Sequence, residues 1–376
     1  GSLLVSASIL FLFNPPGLAS TGATAWFAAW VFLLFLSWTI VTVPYESLGP
    51  ELTFDYNERT SLFAVRDGFL LLGILTAAAS PSLIKTILGS RTASTGDGEV
   101  FFIMSILYSP LIALSALWCV FFLREKEAAS EATGFFRGFS YVRKNRPFII
   151  LLISYTISAI GNNLPATLIL YYVDYVLRSD RADLFLLIYF LTGILFLPLW
   201  IKISGKFGKK QAWLAAMAIN TGAFSGVFLL GAGDELLYGI LVLLSGIGFG
   251  ATLAIPSSIQ ADVIDYDELM TGERREGQYI GIWSLAKKIA AAAGVGIGLS
   301  VLGAAGYKPN TEQPGSVVLT LRLLYALVPC LCNAAAIVLA LSYPITEEKH
   351  RAIKKAITER RNGDRAEDPL IPGRYY

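Results

Sequence analysis

Acidic and basic side chains meet twice in this chain, each time where a long apolar run reaches a polar boundary. The first stretch reads Pro44-Tyr45-Glu46-Ser47-Leu48-Gly49-Pro50-Glu51-Leu52-Thr53-Phe54-Asp55-Tyr56-Asn57-Glu58-Arg59. The second runs from Pro256 through Asp262 and Asp265-Tyr266-Asp267-Glu268 to Gly272-Glu273-Arg274-Arg275-Glu276-Gly277. In both, a proline near the end of an apolar segment precedes an Asp-Tyr-x-Glu step, a Glu-Arg pair and a new apolar segment. Arg59 has the sign to pair with Asp262, Asp265 and Glu268, and Arg274 stands beside them. Such pairs can form and break as a protein changes shape. No nucleophile, base and oxyanion set accompanies them, so no enzyme is expected.

The elements that must position these charges are apolar. Hydrophobic residues make up 55% of the 376 residues and charged ones only 15%, against about a quarter charged in soluble domains. That composition implies a polytopic membrane protein, with the lipid bilayer as its first partner. A spanning helix needs about 20 mostly apolar residues. Ten segments qualify, at 2–14, 22–48, 60–79, 100–123, 147–173, 183–203, 211–231, 235–262, 278–304 and 316–343, the first of them short. The two polar stretches lie roughly 200 residues apart in this series, as two pseudo-equivalent halves of a transporter would place them.

Charge placement orients the chain. The loops at 49–59, 124–146, 202–210, 263–277 and the tail hold 21 basic residues, and the alternate loops hold 5. The positive-inside bias puts the first set and both termini in the cytoplasm, with a bacterial inner membrane as the expected site. Residues 124–146 carry Phe135, Phe136, Phe139 and Val142 at helical spacing and read as an interfacial linker helix. The tail from Ile345 reads as a solvated or surface-lying helix, disordered beyond about Asn362. A net charge of +2 gives no reason to expect nucleic acid. Cys119, Cys330 and Cys332 all lie in apolar runs, and the one histidine, His350, lies in the charged tail, so no disulfide framework, zinc site or other metal is expected.

At these motifs the chain resembles the glycoside-pentoside-hexuronide:cation symporters, the melibiose-permease-like branch of the major facilitator superfamily. Pro44-Tyr45-x-x-Leu48 with Glu51-Leu52-Thr53-x-Asp55-Tyr56-x-Glu58-Arg59-Thr60 is similar to the loop after that family's fourth helix. Asp262-x-x-Asp265-Tyr266-x-Glu268, Gly272 to Gly277 and Trp283-Ser284 are similar to its loop between helices ten and eleven. Gly303-Ala304-Ala305-Gly306-Tyr307 matches the end of its eleventh helix, and the likeness covers residues 1 to about 350.

The resemblance implies an all-α fold of two pseudo-symmetric helical bundles, with about ten membrane helices present of an expected twelve. Residues 1–123 would be family helices 3–6, 124–146 a cytoplasmic linker, 147–343 family helices 7–12 and 344–376 a cytoplasmic tail. The implied activity is Na⁺- or H⁺-coupled symport of a sugar, glycoside or related solute by alternating access. No cofactor is expected, and the protein is expected to be a monomer. The family's cation-site acids fall in its second helix, ahead of Gly1, so the chain alone is not expected to catalyse coupled transport. Alternatives are a lysolipid or other amphiphile symporter, and a truncated membrane protein without transport. Asp55, Glu58, Arg59, Asp262, Asp265, Glu268 and Arg274 would form the cytoplasmic gate.

The remaining candidates are ionisable or polar groups inside apolar segments, where charge persists mostly by lining a cavity or finding a partner. Lys288 aligns with a central lysine of the family's eleventh helix and Arg66 with an arginine of its fifth. Lys288 is as readable as a lysine held by packing, and Arg66 as the partner of Asp67 or another acid. Thr42 stands where melibiose-type members carry a sugar-gripping aspartate, Glu46 replaces a tryptophan, and Trp283 and Ser284 replace a glutamine-threonine pair. Asn162-Asn163-Leu164-Pro165 reads either as a helix broken at a site or as a kink with satisfied amides. Gly246-x-Gly248-x-Gly250 and Gly294-x-Gly296-x-Gly298 follow no strand, so close helix approach is the expectation and nucleotide binding is not.

Overall fold

The computed structural model describes residues 1–17, 20–88, 97–123 and 135–376. Arg124 and Lys126 of the expected linker lie outside that set. The described residues form α1 (Ser2–Leu12), α2 (Ser20–Leu52), α3 (Tyr56–Leu88), α4 (Asp97–Phe122), α5 (Phe135–Lys144), α6 (Arg146–Tyr172), α7 (Ala182–Phe207), α8 (Lys209–Gly226), α9 (Glu235–Thr271), α10 (Glu276–Ala304), α11 (Gly315–Arg322), α12 (Val328–Ala340) and α13 (Glu347–Arg361). A π turn at Leu323–Leu327 joins α11 to α12, making one span of Gly315–Ala340. Among the described residues nine helices are long and apolar enough to cross a membrane, and α1 is shorter.

The helix ends follow local chemistry. Asn145 caps α6 by accepting from the Phe148 amide, with Pro147 in the first turn, where its missing N–H is harmless. Thr346 caps α13 by accepting from Lys349. At Gly272 the backbone turns left-handed (φ +80°) and ends α9, a conformation that disfavours a side chain. α9 has 37 residues, about 55 Å at 1.5 Å per residue, so it outruns a ~30 Å hydrocarbon core.

The polar stretches are therefore mostly helical. α2 continues through Pro44 and Pro50 to Leu52, leaving only Thr53–Asp55 outside a helix. The second stretch occupies the last turns of α9, and only residues 272–275 lie outside a helix before α10 begins. α6 likewise passes through Pro165 without a break, which removes the broken-helix reading of Asn162-Asn163-Leu164-Pro165. Asn163 donates to the Ala159 carbonyl (2.7 Å) and Thr167 to the Asn163 carbonyl (2.8 Å), so the polar groups around the proline are satisfied within the helix.

The described chain forms two compact units. The first comprises residues 1–52 and 72–127, and the second residues 53–71 and 128–376. Sequence reading placed everything up to 123 together, but the beginning of α3 packs with the second unit. In the first unit the hydroxyls of Ser6 and Ser109 each donate to the other residue's carbonyl (2.8 and 3.1 Å), pinning α1 to α4.

In the second unit the glycines of α9 let helices touch. A Cβ on Gly248 would lie 2.3 Å from the Ala216 carbonyl oxygen of α8, and one on Gly250 2.3 Å from that of Gly193 in α7. Both distances are far inside van der Waals contact, so only glycine permits these crossings. The core around them runs from Phe148 and Trp213 through Ile255, Ile259 and Tyr279 to Ile345 and Ile353 of the tail.

Candidate functional site

The site starts from the way α3 begins. The Asp55 carboxylate accepts from the amides of Asn57 (2.8 Å) and Glu58 (2.9 Å), and Thr53 donates to the Glu58 carboxylate (2.6 Å). The Glu58 amide in particular holds the Asp55 carboxyl below its ordinary range. Both acids are exposed. They cap the helix and do not join the expected gate cluster, because their oxygens are already committed to the first turn. What the cap does is fix the direction of Arg59, one turn further on.

Arg59 is fully buried and ion-paired. Its Nε donates to the Thr53 carbonyl (3.0 Å), and its two terminal nitrogens grip Asp265 at 2.6 and 3.1 Å. One of those nitrogens also reaches Asp262 at 3.1 Å. The two acids are three residues apart on α9 and so share a face. Lys209, the first residue of α8, donates to the other Asp262 oxygen at 2.6 Å and lies over the Tyr56 ring at 3.8 Å. Arg274, just past α9, donates to Asp265 (3.2 Å) and Glu268 (2.6 Å) and also pairs with Glu276. Burial alone would lower its pKa, but Asp265, Glu276 and Glu268 together raise it above the ordinary arginine value. The Thr60 and Ser258 hydroxyls meet at 3.1 Å one layer further in.

The tail completes the cluster, contrary to the solvated and partly disordered reading. His350 is buried, with Nε2 2.8 Å from Asp265 and 3.6 Å from Asp262. Lys354 donates to the Phe54 carbonyl, Arg360 to the Leu269 carbonyl and Arg361 to Glu268. Beyond Asn362 the chain remains ordered. Ala366 and Tyr376 exchange backbone bonds, and buried Asp368 accepts from the hydroxyls of Tyr266 (2.9 Å) and Tyr376 (3.0 Å). An unpaired buried carboxylate would be costly. Asp368 with its two phenols explains why this segment docks.

Asp262, Asp265 and His350 lie close enough together to suggest a metal triad. The donor set does not fit one, because Arg59 and Lys209 already hold both carboxylates and would repel a divalent cation. The cluster is a buried salt-bridge network built from three elements of the second unit and its tail. Lys209 and His350 are the members that sequence reading missed. His350, Ile353 and Ile357 share one helical stripe, a signal present in the sequence. For Lys209 the sequence offers no signal beyond its place at the head of an apolar helix.

The other expected site residues fall in separate places. Arg66 and Asp67 pair with each other (2.8 Å), and Arg66 also donates to Ser257 (3.1 Å), which is the ion-pair reading of Arg66. On α10, Trp283 and Ser284 are buried, with Trp283 stacked on Tyr155 at 4.2 Å; Lys287 is half-buried and Lys288 exposed. Asn162 accepts from Asn333 (3.1 Å). Thr42 and Glu46 are half-buried on α2 of the first unit.

Among the described residues, nine helices long and apolar enough to cross a membrane mark an integral membrane protein, and the family its sequence matches makes it a transporter. The chain belongs to the MFS/sugar transport protein family, which it matches over residues 1–347. It is 25% identical over 370 residues to an uncharacterized symporter of Bacillus subtilis, covering 94% of this chain and 77% of that one. A glucuronide carrier protein homolog of Escherichia coli is 25% identical over 338 residues (87% and 72%). The sodium-dependent lysophosphatidylcholine symporter 1 of Gallus gallus is 26% identical over 378 residues (91% and 71%). Among solved structures, the fold is similar to the E. coli fucose:proton symporter, with a TM-score of 0.67 at 14% identity over 92% of this chain and 83% of that one. Members of this family move solutes and are not enzymes.

Proposed function

We propose that this protein is a secondary active symporter of the inner membrane, carrying a sugar, glycoside or related organic solute with Na⁺ or H⁺ by alternating access. The Arg59 cluster is its cytoplasmic latch, with both termini on that side. The observation that carries this reading is the bidentate, fully buried grip of Arg59 on Asp265, 206 residues away in sequence. A buried ion pair is weak as a stabiliser but well suited to a two-state contact, because separating it exposes both partners to water. α3 is the helix divided between the two compact units, with Arg59 in its beginning.

Arg66, Asp67 and Lys288 are the leading candidates for contact with solute or coupling ion, with Thr42 and Glu46 as further candidates. Asn163 spends its amide on Ala159, and Trp283 and Ser284 are packed in the core of the second unit, so these three act by shaping the helices. The lysolipid reading is the second one, supported by the relative named for sodium-dependent lysophosphatidylcholine symport. The test is uptake by the full gene product in proteoliposomes. A panel of glycosides, uronides and lysolipids is presented with and without a Na⁺ or H⁺ gradient. Gradient-driven accumulation of a sugar derivative supports the first reading, and accumulation of lysolipid alone replaces it with the second. No accumulation under any gradient contradicts both.

A further inference from the structure

The second unit contains a cavity of about 140 Å³ that lies apart from the latch and holds neither Arg66 nor Lys288. Aromatic side chains dominate its wall, among them Phe185, Tyr189, Phe224 and Phe249, and no charged residue lines it. Its polar edge is made by Asn162, Asn220 and Asn333. These amides are already tied to their neighbours. Ser158 donates to Asn333 (2.6 Å), Asn333 to Asn162 (3.1 Å), Asn162 to Ser158 (3.3 Å), and Ser245 to Asn220 (2.7 Å).

Size and chemistry together select a ligand. A cavity near 150 Å³ accommodates one benzene-sized ring. A sugar ring would bring several hydroxyls to a wall that offers only three amides and a few phenols, and unpaired buried hydroxyls are unfavourable. An ammonium or carboxylate would find no counter-charge. Each asparagine amide nitrogen carries two hydrogens, and the pairings above use one each on Asn162 and Asn333. A second hydrogen on each can serve one oxygen of a guest. Aromatic walls favour a flat ring through offset or edge-on contacts.

We infer that this cavity is a binding site for a small neutral aromatic molecule bearing one hydrogen-bonding oxygen, of the phenol class, separate from the transported solute. The test uses purified full-length protein in detergent and 4-fluorophenol as the probe, read by fluorine NMR with competition by phenol. Saturable binding displaced by phenol but not by glucose is expected. Ala166 lines the wall, and Ala166→Phe places a ring in the cavity, so affinity should fall on the order of tenfold or more, or about 1.4 kcal/mol. Because that variant can fail to fold, a diazirine-bearing phenol is photolysed on the wild type and the adducts are mapped. Labelling concentrated in residues 185–190, 220–224 and 325–333 supports the site. Non-saturable partitioning equal in wild type and variant, or adducts spread over lipid-facing residues, overturns it. Displacement by glucose, or better displacement by a long-chain alcohol than by phenol, assigns the cavity to another ligand class and also overturns it. None of these outcomes depends on uptake.

Discussion

Neutralising Arg59 is the most informative single change. In Arg59→Gln, Asp265 loses two hydrogen bonds and Asp262 loses one, all in a fully buried setting. Removing one partner of a buried ion pair costs about 3–5 kcal/mol when nothing replaces it. Here Arg274 and His350 remain on Asp265, and Lys209 remains on Asp262. These remaining partners offset part of that loss, leaving about 1–3 kcal/mol against the closed arrangement. The population of the open state then rises about 5- to 150-fold. The assay is alkylation of Ser258→Cys, a fully buried position, by a membrane-impermeant maleimide in a background without Cys119, Cys330 and Cys332. Labelling should accelerate by that factor while thermal unfolding changes little. An unchanged labelling rate, with Arg59→Gln folded, would refute the two-state reasoning. Exchanging the charges, Arg59→Asp with Asp265→Arg, should not rescue closure, because the new arginine would face Arg274.

His350→Ala removes one bond to a charged group, worth about 1.5–3 kcal/mol. The same labelling assay should register an increase of roughly tenfold or more, and no increase would mean that the tail merely lies over the cluster. Asp55→Ala should destabilise the first turn of α3 by about 1 kcal/mol at neutral pH, read as faster hydrogen exchange at Asn57 and Glu58. Because folding lowers the Asp55 pKa, this advantage is complete above the unfolded value of about 3.9 and is lost as pH falls through the folded value. Wild type and variant should therefore converge in acid, and a difference that persists there would contradict the cap assignment. Gly250→Val puts a side chain where a Cβ alone would lie 2.3 Å from the Gly193 carbonyl. About 1–3 kcal/mol of destabilisation or a helix shift should follow, and an unaltered melting temperature would contradict it.

The fold class was legible because hydropathy over some 20 residues is set by the bilayer and needs no tertiary knowledge. The partners of Arg59 were legible for a related reason: opposite charges recur at matching helix ends. What that pattern could not separate was local from long-range chemistry. Asp55 and Glu58 stand in the same motif as Arg59, yet their oxygens satisfy their own helix turn. The spacing of His350, Ile353 and Ile357 marks the buried face of α13, but what that face meets, and the partner of Lys209, depend on how α13 and α8 dock. The tail misled through its composition. It is charged overall, but Ile353, Ile357 and Asp368 face a surface that buries them.

The proposed latch has a direct test in a disulfide. The Thr60 and Ser258 hydroxyls lie 3.1 Å apart, so cysteines at both positions bring two thiols together and bridge formation can be assayed directly. The double variant, in a background without the native cysteines, is reconstituted and assayed for uptake of its solute before and after oxidation. The account predicts that forming the Thr60→Cys/Ser258→Cys bridge abolishes uptake and that reduction restores it. Uptake that continues at the wild-type rate with the bridge fully formed would contradict the claim that this contact must open for transport.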